Sequence, residues 1–231
     1  MSDAKAQWDK VTALNIAEQV TLGPIYTELL LRDPKCLAFI LARYKFAAKM
    51  LRHKRRIIEV GSGEGVGALL LVAETQAEVH GVDFDRDQTE RASRSFVPAF
   101  EAANPAKRGR LVYECRDFGS DGADRERYDG LVCLDVIEHV PNGVEEDRFI
   151  DNCADALCPG GVAVIGTPSL NASAYASERS RLGHINLFAP DRFVAALQRR
   201  FANVFLFSMN DEVVHTGFDK MAHYLMALCV K

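Results

Sequence analysis

The sequence has no apolar run long enough to cross a bilayer, no C-x-x-C pair, no internal repeat and no low-complexity segment. The missing apolar run argues against a membrane-spanning protein, and residues 1–5 lack the pattern that opens a secretory signal. Six scattered cysteines are typical of a reduced, cytoplasmic setting. The net charge of -4 gives no general attraction for nucleic acid or an anionic membrane, so neither is an expected partner.

The overall composition is that of an ordinary globular protein. Of 231 residues, 48% are hydrophobic and 26% are charged, which suffices for a sizeable core. We predict an N-terminal helical extension or lid over residues 1–50 and one main domain over residues 51–231. Asp33-Pro34 is a good start signal for the last helix of the extension.

Strand and helix patterns alternate through the main domain. Short apolar runs followed by helical periodicity favour an α/β fold with a mostly parallel sheet between two helical layers. The last two strands lack a helix between them, which predicts an antiparallel hairpin. Ligands of such sheets bind outside the carboxyl ends of the strands. The predicted strands are 56–60, 78–83, 111–115, 128–134, 161–166, 204–209 and 223–230, and the predicted helices are 66–75, 86–103, 145–157 and 191–201.

Three glycines follow the first strand with the spacing G-x-G-x-G. Gly61, Gly63 and Gly65 leave no side chains where the backbone must approach a ligand closely, and a helix is predicted to follow from Val66. This arrangement favours a nucleotide-like cofactor, although a Gly-rich turn can also be purely structural. The dinucleotide fingerprint would place the third glycine one position later.

Acidic residues end the next two strands. Asp83 lies 22 positions after Gly61, where a carboxylate can accept both hydroxyls of a ribose. The alternative role is capping of the next helix, for which Asp85 is equally suited. Asp117 follows the third strand and is a candidate for an adenine amine or for a turn, with Phe84 or Phe118 against the ring.

Together these motifs resemble the ordered series of class I S-adenosylmethionine (SAM)-dependent methyltransferases. The matching segments are IIEVGSGEG, GVDFD, CRDF, YDGLVCLDVIEHVP and LCPGGVAVIGTPS. The resemblance covers residues from about 50 onward and implies SAM as cofactor, rather than NAD. It also implies a Rossmann-like, doubly wound sheet of seven strands with the last strand antiparallel. The cofactor residues predicted in this way are Glu59, Gly61, Ser62, Gly63, Gly65, Asp83, Phe84, Asp117, Phe118 and Asp135.

A second group of polar residues follows the fourth strand. Asp135, Glu138 and His139, together with His184 from a later loop, form a candidate first shell for a divalent ion such as Mg²⁺ or Zn²⁺. The run D-x-x-E-H is similar to the E-x-x-E-H of ubiquinone-biosynthesis O-methyltransferases and of small-RNA 3′-terminal 2′-O-methyltransferases. Asp135 departs from that pattern because it is shorter than glutamate. Three roles stay open for Glu138, His139 and His184: metal binding, catalysis or substrate contact without metal, and structure.

The sequence therefore predicts an enzyme that moves a methyl group from SAM to a small-molecule acceptor, with a hydroxyl oxygen as the favoured nucleophile. A phenol, a sugar or a lipid-linked intermediate is compatible with the sequence as this partner. The alternatives are an RNA-terminal 2′-O-methyltransferase and a SAM-binding accessory protein without activity. The long loop over residues 167–188 is predicted to form a wall of the acceptor pocket.

Overall fold

A mixed sheet of eight strands organises the part of the chain that the computed structural model describes, residues 3–15, 18–122 and 124–231. The strand order is β3-β2-β1-β4-β5-β8-β6-β7. The first five strands in sequence pair in parallel, whereas β8 lies antiparallel between β5 and β6. The strands are β1 (Arg56–Val60), β2 (Glu78–Asp83), β3 (Leu111–Cys115), β4 (Tyr128–Leu134), β5 (Leu157–Pro168), β6 (Asn203–Asn210), β7 (Val213–His215) and β8 (Tyr224–Val230).

Helices cover both faces of this sheet. They are α1 (Asp3–Thr12), α2 (Pro24–Arg32), α3 (Pro34–Met50), α4 (Val66–Glu74), α5 (Arg86–Ala103), α6 (Phe118–Asp121), α7 (Val144–Ala156), α8 (Glu178–Gly183) and α9 (Pro190–Gln198). Short 3₁₀ turns lie at Pro105–Lys107, Ile137–His139, Leu170–Tyr175 and Asp219–Met221. Among the helices that the structure describes, none has the length and apolar content that a membrane span requires.

Alternate residues of each central strand point to opposite faces of the sheet, so two hydrophobic clusters form. One cluster contains Ile58 and Leu131 and packs against α7 and α9. The other contains Ile57 and Val132 and packs against α3, α4 and α5. The second half of α3 is part of this core, since Tyr44, Ala47 and Ala48 are buried there.

The predicted fold is confirmed. The seven strands predicted from the pattern all form, and β6 and β8 pair as the antiparallel hairpin. The structure adds a short eighth strand, β7, inside the connection between them, where Val213–His215 pairs with the end of β6. Helix α3 begins as predicted, because Pro34 occupies its first position and the Asp33 side chain accepts from Cys36 N–H.

The strand order reverses direction between β1 and β4, which pair directly while β2 and β5 lie on their outer sides. In open α/β sheets, this switch point leaves a crevice at the carboxyl ends of the strands. The glycine loop after β1 and the D-x-x-E-H segment after β4 both open onto it.

Candidate active site

The glycine loop adopts a conformation that other residues would resist. Gly61, Gly63 and Gly65 have φ values of 76°, 49° and 90°. At Gly65 the packing is equally restrictive, because an added Cβ would lie 2.6 Å from Cβ of Ala92. Gly65 therefore seats α4 against its neighbours, and α4 begins at Val66 as the sequence predicts.

A cavity of about 500 Å³ lies beside this loop, over the carboxyl ends of β1 to β4. Its volume is within the range of small-molecule sites. Seven of the predicted cofactor residues line it: Gly61, Gly63, Asp83, Phe84, Asp117, Phe118 and Asp135. Glu59 in β1, and Ser62 and Gly65 within the loop, are not among the lining residues.

Asp83 and Asp85 have separate tasks in the structure. The two oxygens of Asp83 accept from Gly63 N–H (2.8 Å) and Asp85 N–H (2.9 Å). Asp85 caps α5 by accepting from Gln88 N–H. A carboxylate has about four acceptor positions. Asp83 therefore fixes the glycine loop and keeps acceptor capacity at the cavity wall.

Asp117 both lines the cavity and caps α6. Its carboxylate accepts from the N–H and the hydroxyl of Ser120 at 3.2 and 2.9 Å. The ring of Phe118 is buried and meets the ring of Phe149 edge-on, with centroids 5.7 Å apart. Phe84 is exposed at the rim of the cavity. An apolar slot thus lies beside an acidic acceptor.

Glu59 lies at the end of β1 and is fully buried. Among the residues that the structure describes, neither of its oxygens has a hydrogen-bond partner of good geometry, although Tyr44 lies close enough to favour the charged form. Burial has a larger effect than Tyr44. Together with the nearby Asp83, burial raises the pKa of Glu59 to about 8. Ser62 is also buried, and its hydroxyl lacks a hydrogen-bond partner among the described residues.

Asp135 ends β4 in the left-handed region, with a φ of 58°. Its carboxylate is bound by Arg43 from α3, and its N–H contacts the Tyr224 hydroxyl at 3.1 Å. The Arg43 guanidinium also stacks 3.7 Å from the centre of the Tyr224 ring. Burial is the largest single influence on the pKa of Arg43 and would lower it, but Asp135, Tyr224 and Cys36 together outweigh burial and raise the pKa. No pattern in the sequence points to Arg43 or Tyr224, since neither belongs to a motif.

Glu138, His139 and His184 meet at the edge of the same cavity. Each offers a possible ligand atom, and these atoms lie within 4.8 Å of one another. The loop after β5 brings His184 there, because Asn186 N–H donates to the main-chain oxygen of Glu138. Asp135, which the sequence predicts as a fourth ligand, is not part of this group and is paired with Arg43 instead.

These three residues have polar surroundings, but not all of their polar atoms have hydrogen-bond partners among the described residues. Glu138 is fully buried, and one of its oxygens accepts from the Thr167 hydroxyl while the other has no partner among the described residues. Burial and the nearby Asp135 raise the pKa of Glu138 to about 8. His139 Nδ1 lies 2.8 Å from the Gly183 oxygen. Burial and the neighbouring His139 lower the pKa of His184.

The loop predicted as a wall of the acceptor pocket is a structured segment. It contains the 3₁₀ turn Leu170–Tyr175 and helix α8, and it closes with a bridge between Ser169 and Phe188. Besides His184, it supplies Gly183 as the partner of the His139 ring. The segment therefore positions both imidazoles.

Comparison with known proteins agrees with this geometry. A family model described as a methyltransferase domain matches residues 33–204. A ubiquinone biosynthesis O-methyltransferase of Coxiella burnetii is 29% identical over 134 residues, which is 58% of this chain and 52% of that protein. The chain spans about half the length of the curated relatives it matches.

Two solved structures show the same fold. One is a SAM-dependent methyltransferase, a possible histamine N-methyltransferase, from Thermotoga maritima, with a TM-score of 0.66 and 15% identity, covering 90% of this chain and 94% of that one. The other is the N-methyltransferase NodS from Bradyrhizobium japonicum in complex with S-adenosylhomocysteine, with a TM-score of 0.58 and 16% identity, covering 84% and 87% of the two chains.

The sheet order and the cavity at its switch point are those of a Rossmann-like domain of the class I SAM-dependent methyltransferase type. The family model covers most of the chain. The chain therefore belongs to the methyltransferase domain family.

Proposed function

We propose that this protein transfers the methyl group of SAM to a hydroxyl oxygen of a small molecule. The observation that carries the proposal is the meeting of Glu138, His139 and His184 at the edge of the cofactor cavity. This cluster supports the proposal because its polar groups can hold a proton or a cation beside the proposed cofactor. Curated relatives named as O-methyltransferases support oxygen as the nucleophile, although identity is modest and only about half of each relative is matched.

SAM, when bound, supplies a methyl group on a sulfonium for in-line displacement. The chain's own contribution is to bind, align and exclude water. In the proposal, Asp83 accepts the ribose hydroxyls, and Asp117 and Phe118 receive the adenine. The glycine loop passes beside the methionine part. Gly61 and Gly63 then contact the cofactor, whereas Glu59, Ser62 and Gly65 help to set the conformation of the loop.

The acceptor's proton is assigned to the imidazole pair. Gly183 holds the Nδ1 side of the His139 ring, which leaves Nε2 to receive the proton from the acceptor hydroxyl. The His184 ring lies edge-on to His139, with centroids 5.1 Å apart, and restricts its orientation. Glu138 lies behind both and is anchored by Thr167.

The same three residues fit a divalent ion. The unpartnered oxygen of Glu138 is a buried acceptor that a cation would satisfy. Two imidazoles and one carboxylate suit Zn²⁺ and other transition ions better than Mg²⁺. Such an ion would be held by Glu138, His139 and His184, so that Nε2 of His139 would bind the ion in place of accepting the proton, and the ion would lower the pKa of a hydroxyl bound to it. Asp135 is left out of this ligand set because it pairs with Arg43.

One experiment tests the acceptor and the metal together. Release of S-adenosylhomocysteine from SAM is measured with a panel of phenols, sugars and short RNAs, in the presence of Zn²⁺, Mg²⁺ or EDTA. We expect turnover with a hydroxyl-bearing small molecule and its loss in Glu138→Gln. The exposed Glu145→Gln variant is the matched control. Turnover of RNA alone would favour the RNA-terminal alternative, and binding of SAM without turnover of any acceptor would favour the accessory protein.

We assign residues 1–50 as a helical extension that covers the site and residues 51–231 as the SAM-binding domain. A cytoplasmic location is supported by the six cysteines, all of which are free.

A further inference from the structure

Glu64, inside the glycine loop, is buried although it is charged. Its two oxygens accept from the N–H groups of Ile25 (2.8 Å) and Tyr26 (2.9 Å), in the first turn of α2. These N–H groups have no partner within their own helix, and a carboxylate at a helix N-terminus also interacts favourably with the helix dipole. One side chain of the cofactor loop therefore caps a helix 39 residues earlier in the chain.

Gly23, just before α2, packs directly against the same carboxylate. A Cβ added at Gly23 would lie 2.2 Å from both Cδ and Oε1 of Glu64. The backbone there has φ -74° and ψ 176°, which any residue adopts. The space beside Glu64 thus requires glycine at this position, whereas the backbone conformation does not.

Helix α2 in turn reaches the cavity and the loop that carries the histidines. Ile25 lines the cavity beside Gly63. Farther along the helix, Glu28 accepts from Arg179 of α8 at 2.9 Å, and α8 leads into His184. The start of α2 therefore contacts the glycine loop, and Glu28 farther along the helix contacts the loop over residues 167–188.

We propose that Glu64 is a positioning residue that fixes α2 over the cofactor cavity, so that the cofactor enters and leaves only when the contact between Glu64 and α2 opens. This inference rests on the proposed function, because it takes SAM to be the occupant of the cavity. The residue sits between two glycines of the loop, so the cofactor and the covering helix are held by one short segment.

The test uses Glu64→Ala and Gly23→Ala, which break the contact from opposite sides. The dissociation rate of S-adenosylhomocysteine is measured by stopped-flow, its Kd by calorimetry and the Tm by circular dichroism. Each variant weakens the two hydrogen bonds between the Glu64 carboxylate and the start of α2. We therefore expect each variant to release the ligand at least about tenfold faster. Glu90→Ala, an exposed substitution on α5, should leave the rate unchanged.

A double-mutant cycle separates this role from general destabilisation. In Glu64→Ala the obstacle to a side chain at position 23 is gone, so adding Gly23→Ala should change the dissociation rate by less than about twofold. Additive effects of the two substitutions would overturn the inference. If Glu64→Ala does not fold, Glu64→Gln replaces it, since its amide oxygen can still accept one N–H. Its rate should then lie between those of the wild type and Gly23→Ala.

The failure of this inference differs from that of the proposed function. If the wild type binds S-adenosylhomocysteine and Asp83→Ala weakens that binding, while Glu64→Ala and Gly23→Ala release it at the wild-type rate, Glu64 does not control the cavity. Absence of binding to the wild type would overturn the proposed function and this inference with it.

Discussion

Arg43 Nη1 lies 2.9 and 2.8 Å from the two carboxylate oxygens of Asp135. The contact joins α3 to the end of β4 across 92 positions of sequence. It holds a non-glycine residue in the left-handed region at the cavity wall, where such a conformation costs on the order of 1 kcal/mol or more. A helix outside the motif series thus shapes the site.

Arg43→Ala should lower the free energy of unfolding by about 2–3 kcal/mol, because it leaves a partly buried carboxylate without its partner. Chemical denaturation measures this change. Arg94→Ala, which removes an exposed pair on α5, should cost less than about 0.5 kcal/mol. The double variant Arg43→Ala/Asp135→Asn should recover part of the loss, because asparagine tolerates the left-handed region and carries no charge. Equal losses in Arg43→Ala and Arg94→Ala would show that the pair does not stabilise the fold.

Asp83 and Asp85 provide a matched pair two residues apart. Asp83→Ala should raise the Kd of S-adenosylhomocysteine at least tenfold, since it removes the proposed ribose acceptor and frees Gly63 N–H. Asp85→Ala removes the cap of α5 and a side-chain hydrogen bond from Gln88, and it should lower the free energy of unfolding by about 1 kcal/mol, with Kd unchanged within about twofold. Calorimetry and chemical denaturation measure the two quantities. The reverse pattern would move the ribose site away from Asp83.

His139→Ala should reduce turnover about 10²- to 10⁴-fold and leave the affinity for S-adenosylhomocysteine nearly unchanged, because the ring is proposed to act on the acceptor. The acceptor found in the panel of hydroxyl compounds is used for the turnover measurement. His53→Ala, an exposed change at the end of α3, is the control. Loss of cofactor affinity with normal turnover at saturation would contradict the assignment.

The sequence predicted most of the fold because its signals were local. Apolar runs bounded by Gly and Asp set β1 and β2 with the same limits as the structure has. The Gly65–Val66 boundary of α4 was also readable, since it depends on one turn. The edge strand β7 was missed because it is three residues long and forms only by pairing with β6.

The sequence predicts residues of the candidate site only where they directly follow a strand. Asp83, Asp117 and His139 could be placed at one sheet edge from parallel pairing alone. Arg43, Tyr224 and Glu64 could not, because their roles come from contacts between distant segments. The ligand set illustrates the limit: the motif grouped Asp135 with Glu138, whereas the helix α3 places an arginine on Asp135.

Glu59 should make stability depend on pH. Its pKa is about 8 in the folded protein against 4.5 as the ordinary value, so between these pH values the folded state binds more protons than the unfolded state. The free energy of unfolding should therefore fall as pH rises from 4.5 to 8, by at most about 1.4 kcal/mol per pH unit from this group. Glu138 contributes in the same direction over the same range.

Glu59→Gln cannot ionise, so the decrease in its free energy of unfolding should be shallower than that of the wild type, with the two curves diverging towards pH 8. Denaturation with urea between pH 4.5 and 8.5 measures both curves, and Glu78→Gln at the exposed start of β2 is the control. Parallel curves for the wild type and Glu59→Gln would mean that Glu59 ionises as easily in the folded chain as in water.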